Sequence, residues 1–158
     1  MDDENRLTQL QHWARELGFQ QVGVSDIDVG KHAQHLQRWL QNGYHANMHW
    51  RQQHAALREH PEQLHAGALR VISVRMDYLS DKDSNLIAKV NADGGAYIAR
   101  YALGRDYHKW MRKRLALLAQ KIETQVAHTH RAVVDSAPVL ERAFAQKSGL
   151  GWIGKNTM

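Results

Sequence analysis

The sequence predicts an α+β domain, in which helices pack against a mixed β-sheet and residues 1–158 form one folded unit. Some segments alternate apolar and polar residues, as half-buried strands do. Others place apolar residues at helical spacing. These two kinds of segment are interleaved without regular strand–helix–strand repetition, and 43% of the residues are hydrophobic, which is enough for a core.

The first half of the chain predicts three helices and two strands. The helices end at Gly18, at Gly43 and before Pro61, because glycine and proline interrupt helices. In chain order, these segments are a helix that buries Leu7, Leu10, Ala14 and Leu17, a strand at 19–25, a helix at 31–42 that buries Leu36, Trp39 and Leu40, a short helix at 50–58 and a strand at 69–76.

The second half is predicted to begin with a polar loop at 80–95. Asp106 stands where an N-cap is expected, ahead of a long basic helix that reaches about residue 127. Leu115, Leu118 and Ile122 of this long helix are predicted to face inward. The remaining predicted segments are a strand at 96–101, a short buried strand at 132–134, a helix at 138–147 that Pro138 begins, and a turn with Gly149, Gly151 and Gly154.

Composition restricts the possible functions. The formal net charge is +5, which is compatible with a phosphate-bearing partner. There is no cysteine, so the sequence offers no disulfide and no thiolate metal ligand. The acidic, polar start does not resemble a secretion signal, and no apolar run approaches the roughly 20 residues of a membrane span. We therefore expect a cytoplasmic protein without a membrane partner.

Asp135 is the strongest catalytic candidate. It follows the apolar run Ala-Val-Val, and a carboxyl at the end of a buried strand loses solvation, which favours the protonated form needed by a general acid. Asp135 also precedes the helix predicted at Pro138, and aspartate is a common helix cap. On these residues alone, capping is the favoured interpretation.

Two further segments have the composition of binding sites. Aromatic and basic residues between Tyr97 and His108 are suited to stacking on a ring system or to binding phosphate, although they also fit a solvated sheet edge. The glycines before Lys155 allow a close backbone approach to a large ligand, or simply form a tight turn. Their spacing does not match a phosphate-binding Walker loop. His108 lacks a partner at metal-ligand spacing, so no metal ligand is predicted.

Three ordered segments, at 97–108, 134–142 and 148–156, together resemble the epoxyqueuosine reductase family, and the resemblance extends over nearly the whole chain. It implies an oxidoreductase that reduces epoxyqueuosine to queuosine in a tRNA anticodon loop, using cobalamin and two 4Fe-4S clusters. It assigns the proton-donating role to Asp135, in Asp-Ser-Ala-Pro. The cobalamin-binding residues implied by the resemblance are Arg58, Tyr97, Asp135, Ser136, Lys155, Asn156 and Met158.

The sequence departs from the family pattern in two ways. The cysteines that bind the clusters in the family are absent here, and Ala143 and Phe144 stand where the family commonly has proline and an aliphatic residue.

We expect an incomplete cobalamin-binding domain, cut before a ferredoxin-like domain and a helical-repeat part. Such a domain should be monomeric, inactive alone, and should carry an open groove and exposed apolar residues near its carboxyl end. The electron donor is unidentified. The alternatives are a cobalamin-carrying module without redox activity and a basic RNA-binding module.

Overall fold

The computed structural model describes residues 3–78, 98–102 and 105–155. Helices and strands alternate irregularly, so the predicted α+β class is confirmed. The elements are α1 (Asp3–Glu16), β1 (Gln21–Ser25), α2 (Lys31–Gln41), α3 (His49–Gln53), α4 (Ala55–Glu59), β2 (Val71–Arg75), α5 (Tyr107–Glu123) and α6 (Glu141–Lys147), with 3-10 turns at Pro61–Gln63 and Arg100–Ala102.

The sheet of the described residues consists of β1 and β2, which pair antiparallel with Val24 opposite Ile72. The other two predicted strands are wrong within this part of the chain. Residues 98–102 end in a 3-10 turn, and Ile98 is 60% exposed. Residues 132–134 form no strand, although Val134 is buried. An apolar run predicts burial, but it does not distinguish a strand from an irregular buried segment.

The main core lies on one face of the sheet, under α1 and α5. Leu10, Ala14, Phe19 and Leu118 are buried there. Partly buried apolar residues surround them: Trp13, Leu17, Val22, Val74, Met76, Met111, Leu115 and Ile122. The predicted inward residues of the long helix are therefore correct.

Two predictions of burial are wrong. Leu7 is 43% exposed, because it lies one helical turn before Leu10, where α1 extends beyond the core. Helix α2 has no fully buried residue, and Leu36, Trp39 and Leu40 are only half-buried. Its amphipathic pattern predicted the helix correctly, but not how much of its surface the neighbours cover.

Helix α6 covers the opposite face of the sheet. Its Ala143 and Phe144 are buried, and Phe144 is among the largest fully buried side chains of the described residues. The helix approaches β1 so closely that a Cβ built on Gly23 would lie 2.2 Å from the Ser148 carbonyl oxygen. Lys147 adds an ion pair with Asp26 at the end of β1. Glycine at position 23 therefore permits this packing.

The predicted helix ends agree with the structure in part. Asp106 caps α5, since its carboxylate accepts the His108 backbone N–H, but the helix ends at Glu123 rather than near residue 127. The helix predicted at 50–58 is broken at His54. Pro138 does not begin α6, which starts at Glu141. Two tight turns, closed by Ser136 N–H to the Val134 carbonyl and by Val139 N–H to the Ala137 carbonyl, delay it.

The chain near its carboxyl end exposes apolar side chains, as predicted. Trp152 is 86% exposed and Ile153 is 39% exposed. Both follow Gly149, whose φ of 77° ends α6 in the left-handed region that favours glycine.

We predict that Gly23→Ala destabilises the domain by about 1–3 kcal/mol, because the new methyl group collides with the backbone of Ser148 rather than with a flexible side chain. Urea unfolding measures the change. Gly151→Ala is the matched control, since a Cβ at that position would meet no described atom within 4 Å. Equal stability of the two variants would contradict the close packing of α6 on β1.

Candidate active site

A cavity of about 360 Å³ lies between the α3–α4 region and the segment that precedes α6. It brings together Arg58, Asp135 and Ser136, three of the residues implied as functional by the sequence resemblance. The other lining residues are Trp50, His54, Leu57, Gln63, Leu64, Arg131, Ala137 and Pro138. Residues far apart in sequence therefore converge on one opening.

Asp135 differs from both interpretations that the sequence allowed. It does not follow a strand, and its side chain is 51% exposed, so the predicted desolvation of its carboxyl is wrong. Capping is also wrong, because Leu140 is the N-cap of α6 and no side chain of the described residues caps that helix. Asp135 instead has a φ of 54°, a left-handed conformation that few residues other than glycine, asparagine and aspartate adopt.

The Asp135 carboxylate accepts a hydrogen bond from the Tyr107 hydroxyl, at the start of α5. This hydrogen bond is the main reason that the pKa of Tyr107 is raised to about 12. Tyr107 therefore stays protonated at neutral pH and remains a donor to Asp135. The rings of Tyr101 and Tyr107 form a T-shaped pair, with 6.2 Å between the ring centroids.

His108 links Asp135 to a second carboxylate. Its Nε2 lies 3.6 Å from Asp135 Oδ2, and its Nδ1 lies 2.9 Å from Asp106 Oδ1. The imidazole also stacks on the Tyr107 ring, with centroids 4.0 Å apart. The hydrogen bond with His108 is the largest cause of a lowered pKa of Asp106. The capping residue of α5 thus also orients a histidine beside Asp135.

Glu141, the first residue of α6, holds the backbone of Asp135. Its Oε1 accepts the Asp135 N–H at 2.9 Å. Burial is the largest cause of a raised pKa of Glu141, and the nearby Asp135 charge raises it further. The half-buried carboxyl of Glu141 thus contacts the backbone of Asp135, whose own carboxylate is exposed.

Arg58 forms a buried positive wall of the cavity. Its side chain is only 4% exposed, and its Nη1 donates to the Arg51 carbonyl at 3.2 Å. Both guanidinium groups lie over Trp50, at 4.5 Å for Arg51 and 5.5 Å for Arg58. Burial, with the Arg51 charge as a second cause, lowers the pKa of Arg58, but arginine remains charged at neutral pH. Such a wall favours ligands that carry carbonyl or phosphate oxygens.

Among the described residues implied by the resemblance, Lys155 alone is not brought to this cavity. Ser136 is an exposed lining residue, whereas Lys155 is exposed near the carboxyl end and does not line the cavity. Tyr97, Asn156 and Met158 lie outside the described residues. The predicted role of each in binding stays a prediction.

Sequence reasoning missed three partners of Asp135. Tyr107 and His108 were recognised only as part of an aromatic and basic cluster, and Glu141 was not among the candidate site residues. Nothing in the spacing between positions 107 and 135 connects them, because that contact joins the start of α5 to a turn that is distant in the chain. The Asp-Ser-Ala-Pro motif gave one usable signal, since a proline shortly after an aspartate is typical of a turn.

The described part of the chain shows neither a membrane-spanning helix nor a ready metal site. None of its helices has the length and apolarity needed to cross a bilayer. Its histidines, aspartates and glutamates form no group of three or more arranged to hold a metal ion.

Comparison with known families matches a stretch of the chain that supplies Arg58, Asp135 and Ser136 to the cavity. The model of the family described as "Epoxyqueuosine reductase QueG, DUF1730" matches residues 58–136, which is half of the 158-residue chain. The chain belongs to the epoxyqueuosine reductase family. The resemblance inferred from the three sequence segments is therefore confirmed.

Curated relatives extend the match over the whole chain. The epoxyqueuosine reductase of Pseudomonas aeruginosa is 54% identical over 158 residues, covering 99% of this chain and 44% of the relative. That of Escherichia coli is 48% identical over 158 residues, with 99% and 41% covered. The chain thus spans less than half the length of these two relatives.

Solved structures show the same fold. Epoxyqueuosine reductase from Streptococcus thermophilus matches with a TM-score of 0.72 and 21% identity, over 95% of this chain and 40% of that chain. A crystal structure of epoxyqueuosine reductase with an epoxyqueuosine-modified tRNA stem loop also matches with a TM-score of 0.72, at 18% identity over 96% and 40%.

We predict that Glu141 makes stability fall as the pH rises. A carboxyl whose pKa is raised by folding adds to the unfolding free energy. The addition is complete below the unfolded pKa, near 4.5, and is lost as the pH rises through the folded pKa. The unfolding free energy of the wild type, relative to Glu141→Gln, should therefore decrease from about pH 4 upward. Urea unfolding of both proteins from pH 4 to 7 tests this, and parallel curves would contradict it.

Proposed function

We propose that this chain is the cobalamin-binding part of an epoxyqueuosine reductase, a cytoplasmic oxidoreductase that completes queuosine in tRNA. The observation that carries the proposal is the convergence of Arg58, Asp135 and Ser136 on one cavity. These residues lie within or at the edge of the family-matched stretch 58–136.

The residues around the cavity fit the side arms of a corrin. Arg58 is a buried residue of the cavity lining, and Arg51 Nε is buried without a hydrogen-bond partner among the described residues. Carboxamide carbonyls and a phosphate are the acceptors that such donors need. Arg58 and Ser136 would hold cobalamin here, with Trp50 as an aromatic wall. When bound, the cofactor supplies the redox step at the carbon–oxygen bond of the substrate.

Asp135 would supply the proton. As the epoxide carbon–oxygen bond breaks, the departing oxygen gains negative charge and takes a proton from the carboxyl of Asp135. Tyr107 donates to one carboxyl oxygen, which leaves the other to carry the proton. The side chain is 51% exposed, so a substrate can approach it from the open side. His108 Nε2 lies 3.6 Å from Oδ2, the oxygen that Tyr107 also binds, so neither of these two neighbours occupies Oδ1.

Electron delivery requires groups that this sequence does not contain. It has no cysteine, the ligand that 4Fe-4S clusters use, so the two proposed clusters would be bound by other residues of a longer protein. The proposed substrate is a tRNA anticodon loop that carries epoxyqueuosine. The net charge of +5 supports a partner rich in phosphate.

Cobalamin binding tests the cavity assignment. We expect added cobalamin to change its visible spectrum with the wild-type chain, and Arg58→Met to weaken binding at least about tenfold, since buried charge-assisted hydrogen bonds are worth about 1.5–3 kcal/mol. Met keeps the apolar volume, and circular dichroism checks the fold. Arg38→Met, an exposed arginine of α2, is the control. Unchanged binding by Arg58→Met would contradict the assignment, and no binding at all would favour the RNA-binding alternative.

Asp135→Asn tests the acid directly, in a chimera where this segment replaces the matching part of the Pseudomonas aeruginosa relative. Asparagine tolerates the left-handed conformation, so the change removes the proton but keeps the backbone. We expect turnover of epoxyqueuosine tRNA to fall by about 10²–10⁴ with cobalamin still bound.

The control in that experiment is Asp77→Asn, an exposed aspartate outside the cavity lining. Full turnover by Asp135→Asn would defeat the acid assignment. Loss of cobalamin together with turnover would assign Asp135 to binding instead. A wild-type chimera that binds cobalamin but never turns over would favour the cobalamin-carrying module.

A further inference from the structure

Glu141 contacts the one residue on which the proposed chemistry depends. Its Oε1 accepts the Asp135 N–H at 2.9 Å, six residues back along the chain. The contact is made to the backbone of Asp135, whereas the side chain of Asp135 is bound by Tyr107. Glu141 therefore acts on the conformation of Asp135.

We propose that Glu141 is a positioning residue, whose carboxylate holds Asp135 in the left-handed conformation that directs the acid toward Tyr107 and His108. This inference rests on the proposed function of Asp135. It adds a residue outside the matched stretch 58–136 to the machinery of the site.

The backbone at Asp135 needs such an anchor. A φ of 54° is unusual for a residue with a Cβ, and such conformations persist only where the surroundings enforce them. The neighbour on one side is fixed, since Val134 is buried and its carbonyl accepts the Ser136 N–H. The Asp135 N–H lies between these groups and points to Glu141. Without that acceptor, the peptide unit before Asp135 could rotate toward ordinary φ values.

The packing of α6 restrains the position of Glu141. It begins α6, and Ala143 and Phe144, two and three residues further on, are buried against the sheet. The Ser148 backbone at the other end of the helix lies against Gly23. The backbone of Glu141 is therefore fixed by the packing of α6, and this fixes where its carboxylate meets the Asp135 N–H.

Rotation of the Asp135 backbone would move its carboxyl away from two partners. Tyr107 and His108 both belong to the first turn of α5, on a different segment, and would not follow. A displacement of about 1 Å at a catalytic group is enough to cost on the order of 10²-fold in rate. The predicted effect is therefore on kcat, with the substrate affinity unchanged.

Amide hydrogen exchange tests the contact without any activity. In the 158-residue chain, we expect Glu141→Ala to speed exchange at the Asp135 amide by at least about tenfold, and Glu141→Gln, which keeps the acceptor oxygen, to stay within about threefold of the wild type. Glu141→Asp keeps the charge but shortens the reach, so it should behave like alanine. Glu123→Ala, an exposed glutamate at the end of α5, is the control.

The chimera tests the consequence for the reaction. We expect kcat to fall on the order of 10²-fold in Glu141→Ala and in Glu141→Asp, with KM unchanged, and to recover in Glu141→Gln. In an Asp135→Asn background, Glu141→Ala should cause no further loss, because it acts through Asp135. A merely structural role would instead give additive losses, and those would overturn the proposal.

The outcomes separate the two proposals. Unchanged amide exchange in Glu141→Ala and Glu141→Asp would overturn the positioning role, whatever the chimera does. If Glu141→Ala does not fold, Glu141→Asp alone decides. Faster exchange together with a wild-type chimera that lacks turnover would support the contact while defeating the proposed function.

Discussion

The candidate site depends on the turns that the chain makes between two groups of buried residues. Val134 is buried at one end. At the other end, Ala143 and Phe144 of α6 are buried. The segment between them contains two tight turns before the helix begins at Glu141. Asp135 lies in the first turn with a φ of 54°, and Glu141 accepts its N–H. The packing of α6 on the sheet therefore sets the conformation of the residue proposed to do the chemistry.

Sequence periodicity predicted the parts of the fold that local structure governs. Helix α1, both strands of the described sheet, the Asp106 cap and the inward face of α5 follow from apolar spacing and end signals. The errors fall where tertiary packing decides. Residues 132–134 are apolar because Val134 enters the core, and not because they pair with a strand. Pro138 suits a first helical turn, but here it belongs to the turns before α6.

The candidate site was predictable in composition but not in geometry. The resemblance brought Arg58, Asp135 and Ser136 forward, and the structure places all three on one cavity. The environment of Asp135 was not predictable, because a half-exposed carboxylate with a left-handed backbone has no local sequence pattern. Its contacts with Tyr107 and His108 join segments that are distant in the chain. The sequence could therefore name the residue while assigning it the wrong surroundings.

Asp135, held by Glu141 and Tyr107, is proposed to face the position that the cofactor occupies. A crystal structure of this chain with cobalamin tests it most directly. We expect the corrin to contact Arg58 and Ser136, with the Asp135 carboxyl facing the ring and its backbone still left-handed. A corrin bound elsewhere, or an Asp135 side chain directed away from it, would contradict the account.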